Sequence, residues 1–293
     1  MDTWLTDSVK QILFAPCLEI AAHIGRRLDG RIGMGQSIDE RALTEDFVDS
    51  FDSSAPASAW HRVDTELRDH GLYLHAAVQK STREHQTGAD IGLTIERSVY
   101  APTIRSHERY AVLIQCKKLD EQGAVADFFH TVPSSGKKQS SLLLDITPSS
   151  FYFIFTPPSI VKMTYNLEPV AFAGAAPGCT SPVWNIGSFA FDGGVRPFLD
   201  ARQKAEATGI LVVPALAVEA QETRGKSATI EQVLPNCLPF WYWFGELLVP
   251  GFLGDRRPDV LALATNVRTA ERRNATDQPF GVQYSVTLGV GSG

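Results

Sequence analysis

Gly88-Ala89-Asp90-Ile91-Gly92-Leu93-Thr94-Ile95, followed by Tyr110-Ala111-Val112-Leu113-Ile114-Gln115-Cys116-Lys117-Lys118, is the part of the chain whose reading decides the fold. Both segments predict β-strands, because short apolar runs rich in β-branched and aromatic residues lie between glycine, proline and charged punctuation. Side chains alternate along a strand, so Gln115 and Lys117 project to one side while Ile114 and Cys116 project to the other. A carboxylate, an amide oxygen and an ammonium can then meet at one sheet edge.

Outward from these strands, the pattern predicts helices before and after. Apolar residues from Trp4 to Ile24 recur at helical spacing on both sides of Pro16, which predicts two short helices ending at Gly30. A further helix starts at Ser37 or Asp39 as N-cap, has Glu40 in its first turn and runs through Leu43, Phe47, Val48 and Phe51, carrying Glu45. Residues 59–70 predict another helix and Leu72–Gln79 a strand. A polar loop containing Pro102 separates the Asp90 and Gln115 strands. Gln122–His130 and Lys138–Ile146 predict helices, and Phe151-Tyr152-Phe153-Ile154-Phe155 is a β-forming run stopped by Pro157-Pro158. The expected order is helix, three strands, helix, strand.

Composition limits what such a site can be. The 293 residues, 44% hydrophobic and 20% charged, are ordinary for a folded chain with a real core. A net charge of −6 gives no global basic field, so a polyanion must be held by local clusters such as Lys117-Lys118, Lys137-Lys138, Arg256-Arg257 or Arg272-Arg273. Cys17, Cys116, Cys179 and Cys237 show neither C-x-x-C spacing nor a nearby histidine, and predict reduced thiols in a cytoplasmic protein. Asp2 and Asp7 stand where a signal peptide would be basic, and no run of eighteen apolar residues follows, so neither secretion nor a membrane span is expected.

Leu43-Thr44-Glu45 on the helix, Glu84 and Thr87-Gly88-Ala89-Asp90 at the second strand, and Leu113-Ile114-Gln115-Cys116-Lys117 on the third carry a resemblance to a known family. In this order they resemble the restriction-endonuclease-like, or PD-(D/E)xK, nuclease superfamily, in its Gln-x-Lys (Mrr-like) branch, which includes bacterial anti-phage defence nucleases. Gln139 resembles the glutamine that often opens the helix after the lysine strand. The likeness covers residues 38–158 and departs from the superfamily pattern twice: Gly-Ala precedes Asp90, and Gln115 replaces an acid. It implies an α/β (α+β) fold with an αβββαβ core, a mixed central sheet flanked by helices. Residues 1–37 are then an N-terminal helical segment and 159–293 a C-terminal extension that packs on the core or mediates association. It also implies a cytoplasmic, Mg²⁺- or Mn²⁺-dependent endonuclease acting on double-stranded DNA, assembled as a dimer or controlled by a regulatory defence partner.

The chemistry explains why these residue types would be grouped. Phosphodiester hydrolysis needs an acidified water and a stabilised phosphorus oxyanion, which a divalent ion supplies, and Mg²⁺ takes oxygen ligands. On the resemblance, Asp90 is the principal ligand, Glu45 reaches the same ion directly or through water, and Gln115 completes the set. Lys117 holds the attacking water or stabilises phosphate charge. Glu84 and Gln139 support the site, and Lys118, Lys137 and Lys138 contact nucleic acid. Each residue also has an ordinary reading. Gln115 and Lys117 suit the solvent face of a half-buried strand, and Asp90 suits a turn. Glu45 suits a solvated helix face, with Asp46 and Asp49 easily confused for it. An inactive nucleic-acid-binding or protein-interaction module of the same fold, and an RNA nuclease, are the competing functions.

Elsewhere, Ala220–Ser227 matches a relaxed phosphate-loop pattern, but Glu222 within it and Pro214 before it favour a charged surface loop. Beyond residue 160 the sequence predicts strands at 169–173 and 210–213, a turn at Asp192-Gly193-Gly194 and a helix over 196–207. The aromatic run Phe240-Trp241-Tyr242-Trp243-Phe244, continuing to Phe252, predicts core packing, with a self-association surface as the alternative.

Overall fold

The computed structural model describes residues 5–51, 60, 63–81, 84–101, 104–160, 208–221, 225–233, 236–265 and 280–288. Helix α1 (Asp7–Gly33) is capped by the Thr6 hydroxyl and runs unbroken through Pro16. The expected break is overridden by packing. Leu13, Phe14, Pro16, Cys17 and Ile20 are all buried; ending the helix there would expose side chains worth roughly 1.5–3 kcal/mol each, against about 3 kcal/mol for an interior proline. Helix α2 (Glu40–Asp49) begins where its cap predicts, the Asp39 carboxylate accepting from the Arg41 N–H at 3.2 Å. Helix α3 (Val63–Asp69) follows.

Strands β1 (Leu72–Ser81), β2 (Ile91–Ala101) and β3 (Ile104–Lys118) form an antiparallel meander. The polar loop expected around Pro102 is far shorter, because β2 runs on to Ala101 and β3 starts at Ile104. Its charged residues are strand residues, and buried Arg97 pairs with Glu108 at 2.7 Å and donates to the Pro250 carbonyl at 3.0 Å. The one-turn helix α4 (Glu84–Thr87) sits between β1 and β2. After β3, the expected helix over Gln122–His130 is absent. Instead the Asp120 carboxylate accepts from the Gln122 and Ala124 N–H groups at 2.9 and 2.8 Å, turning the chain into β4 (Ala124–Val125).

Helix α5 (Gln139–Ile146) carries the crossover to β5 (Ser150–Phe155), which lies parallel to β3. Every residue of β5 is buried, which is why it reads as an unbroken apolar run: both faces of the sheet are covered there. Strand β6 (Ile210–Pro214) pairs antiparallel with β5, a two-residue β7 (Ala228–Thr229) pairs with β4, and β8 (Leu238–Pro239) pairs with β6. Strand β9 (Phe280–Leu288) pairs with β1. The result is a mixed seven-stranded sheet in the order β8-β6-β5-β3-β2-β1-β9, flanked by helices. Strands from beyond residue 158 stand at both of its edges.

One face is covered by α1, α2 and the aromatic run, where Phe47, Phe153, Phe240 and Trp243 meet with ring centroids 5.2–6.2 Å apart along their contacts. The other carries the helix Pro258–Thr265, which lies so close that a Cβ on Gly92 would come within 3.1 Å of the Ala264 Cα. The relaxed phosphate-loop pattern follows the helix Ala215–Glu219, so it lacks a strand directly before it. No helix among the described residues is long and apolar enough to cross a membrane. The elements expected at 169–173, 192–194 and 196–207 lie outside the described residues.

Candidate active site

Asp90 stands immediately before β2, and its backbone N–H donates to the Ile114 carbonyl at 2.9 Å, so it enters the sheet opposite Gln115. The chain reaches it through a tight turn. The Gly88 N–H closes α4 on the Glu84 carbonyl, and Gly88 has φ +70°. A Cβ there would lie 2.6 Å from the Gln139 carbonyl oxygen, so glycine is required both for the backbone angle and for the approach of α5.

The Asp90 Oδ2 accepts from Gln115 Nε2 at 2.6 Å and from the Cys116 N–H at 2.7 Å. Gln115 Nε2 also lies 3.4 Å from Glu84 Oε1, and Gln139 Nε2, at the start of α5, donates to that same oxygen at 2.7 Å. The amide N–H groups thus fill the space between carboxylates. The amide oxygens Oε1 of Gln115 and of Gln139 are buried and have no hydrogen-bond partner. Lys117, only 5% exposed, places Nζ 3.9 Å from Glu40 Oε1. A cavity of about 310 Å³ opens onto this cluster, lined by Asp39, Glu40, Arg41, Thr44, Lys80, Glu84 and Asp90.

Burial and the neighbouring Glu84 carboxylate push the Asp90 carboxyl up to about 8, with Glu40 adding to the effect, while the Cys116 N–H and Lys117 oppose it. Burial likewise raises Glu40, against the pull of Lys117. Packed carboxylates in poor contact with water favour taking up positive charge, from a proton or from a cation.

Five of the residues singled out from sequence come together: Glu84, Asp90, Gln115, Lys117 and Gln139. Glu45 does not join them. Its carboxylate pairs with Lys80 on the exposed side of α2, and it does not line the cavity. Glu40 and Thr44 are the residues of α2 that do, because the buried stripe Leu43, Thr44, Phe47 and Val48, extended back by one turn, passes through Glu40. That stripe is visible in the sequence and is the signal that identifies Glu40. Of the lysines expected to contact nucleic acid, Lys118 donates to the Ile38 carbonyl at 2.7 Å and Lys137 pairs with Asp145 at 2.7 Å. Lys138 is the half-buried N-cap residue of α5.

Among the described residues no group of three His, Cys, Asp or Glu side chains is placed to hold a metal ion. The donor set that remains is Asp90 with an acid from Glu40 or Glu84 and the unpartnered oxygen of Gln115. It consists of oxygens alone and fits a hard cation that keeps several waters, as Mg²⁺ does, better than it fits zinc. Comparison with protein-family models, with curated proteins and with solved structures found no match to this chain.

Proposed function

We propose that this chain is a Mg²⁺- or Mn²⁺-dependent endonuclease that hydrolyses phosphodiester bonds in double-stranded DNA. The observation that carries the reading is the buried, unpartnered Oε1 of Gln115, whose Nε2 donates to the Asp90 carboxylate on the wall of an acid-lined cavity. A buried amide oxygen without a partner costs about 1–3 kcal/mol, a cost that a cation held by Asp90 and this oxygen would offset. The resemblance of the Asp90…Gln115-x-Lys117 arrangement to the restriction-endonuclease-like superfamily supports DNA as the substrate and a role in defence against phage, with a dimer or a regulatory partner as its setting.

Asp90 and Gln115 would hold the ion, with Glu40 or Glu84 completing the protein's share. When bound there, such an ion acidifies an attacking water and offsets charge gathering on the phosphoryl oxygens. Lys117, held beside Glu40, orients that water and meets the phosphate with its ammonium. The water oxygen forms a bond to phosphorus as the bond to the leaving sugar oxygen breaks, giving a phosphomonoester and a hydroxyl. Gln139 fixes Glu84, and so fixes one wall of the site.

A module that keeps this fold without a metal is the second reading. It is favoured by the two hydrogen bonds that Asp90 Oδ2 already accepts from within the protein. The deciding experiment is cleavage of plasmid, linear duplex, single-stranded DNA and RNA by the purified protein in Mg²⁺ or Mn²⁺, beside a chelator control and Lys117→Ala. Metal-dependent cutting that falls by about a hundredfold or more in the variant supports the nuclease, and the substrate that is cut separates DNA from RNA. If no substrate is cut and calorimetric titration gives the same weak Mn²⁺ signal for wild type and Asp90→Ala, the metal-free module is the better account.

A further inference from the structure

Far from Asp90, β2 and β3 continue outward as a ribbon whose two faces differ. On one, Tyr110 is buried with its hydroxyl donating to the Val249 carbonyl at 2.7 Å, and Arg256 lies over its ring. On the other, the cross-strand pairs Glu96–Arg109, Ser98–His107 and Tyr100–Arg105 share a face with Tyr73 and His75 of β1, which stand opposite Ser98 and Glu96. That second face is open: Tyr100 is 57% exposed, the His107 side chain 61%, and Arg105 and Arg109 are both exposed.

Its charge differs from that of the rest of the protein. The chain carries a net charge of −6, and most members of the described basic doublets are bound internally: Lys117 to Glu40, Lys118 and Lys137 as above, Arg256 to Glu108, and Arg257 to Asp255. Arg105 and Arg109 form no ion pair among the described residues, and the face holds one acid, Glu96, which lies 4.0 Å from His107. Two arginines and two histidines around the Tyr100 and Tyr73 rings on an open sheet match what an unpaired nucleic-acid strand presents, phosphates alternating with flat bases.

We infer that this ribbon face docks single-stranded nucleic acid, Tyr100 and Tyr73 stacking on bases while Arg105 and Arg109 hold phosphates. Tyr100 lies ten residues along β2 from Asp90, about 33 Å at the usual rise, and the Glu96–Arg109 pair six residues, about 20 Å, so this is a docking surface distinct from the acid-lined cavity. The inference rests on the proposed function only in choosing nucleic acid among polyanions. It names the portion of a substrate the ribbon holds: an unpaired flank beside the duplex that is cut.

Binding is measured by fluorescence anisotropy of labelled oligothymidine and of a blunt duplex, with all divalent ions chelated so that cleavage plays no role. The expected result is tighter binding of oligothymidine, weakened about tenfold by Tyr100→Ala and restored by Tyr100→Phe, since a ring suffices for stacking. The double variant Arg105→Ala, Arg109→Ala should flatten the slope of log K against log salt by about 1.4, two phosphate contacts at about 0.7 each for a single strand. These positions are exposed, and circular dichroism checks that each variant is folded. Unchanged affinity and slope in the double variant would overturn the inference. So would a preference for the duplex that ignores Tyr100, or no binding to either. Binding without cleavage in Mg²⁺ would leave the docking surface standing and count against the nuclease reading, and cleavage with no ribbon effect would do the reverse.

Discussion

On the proposed function, Asp90 is the position where a proton and a metal ion would compete for the same oxygens. Its carboxyl titrates near 8 in the fold but near ~3.9 in the unfolded chain, so the folded state binds this proton more tightly. The stability it contributes is therefore fully present below about pH 4, declines as pH rises and is gone once pH passes the folded value near 8. Urea unfolding should show wild type losing stability between pH 5 and pH 8 more steeply than Asp90→Asn, which has no proton to lose. Adding Mg²⁺ should recover some of that loss in wild type at the alkaline end and none in the variant. A wild type and variant with parallel pH profiles would mean that Asp90 is charged throughout. The acid on α2 makes a second test. Glu40→Gln should lower cleavage at least tenfold, whereas Glu45→Gln breaks an exposed pair with Lys80 and should change stability by less than about 1 kcal/mol and activity little. Asp90, Gln115 and Lys117 were legible in the sequence because strand alternation fixes which side chains share a side. Glu45 was singled out on the family likeness, whereas the buried stripe of the same helix puts Glu40 on the cavity and Glu45 on the exposed side.

At the level of elements, the site depends on how α4 and α5 are locked together. Gly88 lets the backbone of α5 approach, Gln139 reaches Glu84, and the first turn of α5 is held from the far side by Glu219, which accepts from the Ser140 and Ser141 hydroxyls at 2.5 and 2.8 Å. Glu219 belongs to the helix Ala215–Glu219, so residues well beyond β5 in the chain brace the helix that carries Gln139. Glu219→Ala leaves the buried Ser140 hydroxyl and the half-buried Ser141 hydroxyl without their acceptor and should cost about 1–3 kcal/mol in denaturant unfolding. It should also slow cleavage while leaving oligothymidine binding on the ribbon unchanged. Equal stability in the variant would show that this contact does not hold α5. The strands and α5 were legible because their apolar periods are long and bounded by proline or a cap. The supposed helix over Gln122–His130 was not, because Asp120 and Gly123 supply a competing local structure that periodicity does not weigh.

For the molecule as a whole, the question left by the sequence was whether the aromatic run 240–252 packs inside or joins two copies. Its rings belong to the interior: Phe240, Trp241, Trp243 and Phe244 are each no more than 1% exposed, and Phe252 is 59% exposed. Their partners come from across the chain, with Phe14 of α1 edge-on to Trp241 and Trp243 against both Phe151 and Phe153 of β5. Such distant pairings cannot be read from a single sequence, which shows that a segment is apolar but not what it meets. They place the N-terminal helix, the sheet and the aromatic run in one hydrophobic core. Trp243→Ala should therefore cost about 3–5 kcal/mol, seen as a lowered urea midpoint in a single transition monitored by both tryptophan fluorescence and circular dichroism. Because the ring is buried against its own chain, the loss should not depend on protein concentration. A variant that keeps its unfolding midpoint but shifts sedimentation from dimer to monomer would instead place Trp243 at an interface. Any dimer that the protein forms must then use other surface, and Phe252 is the exposed member of the run from which to begin.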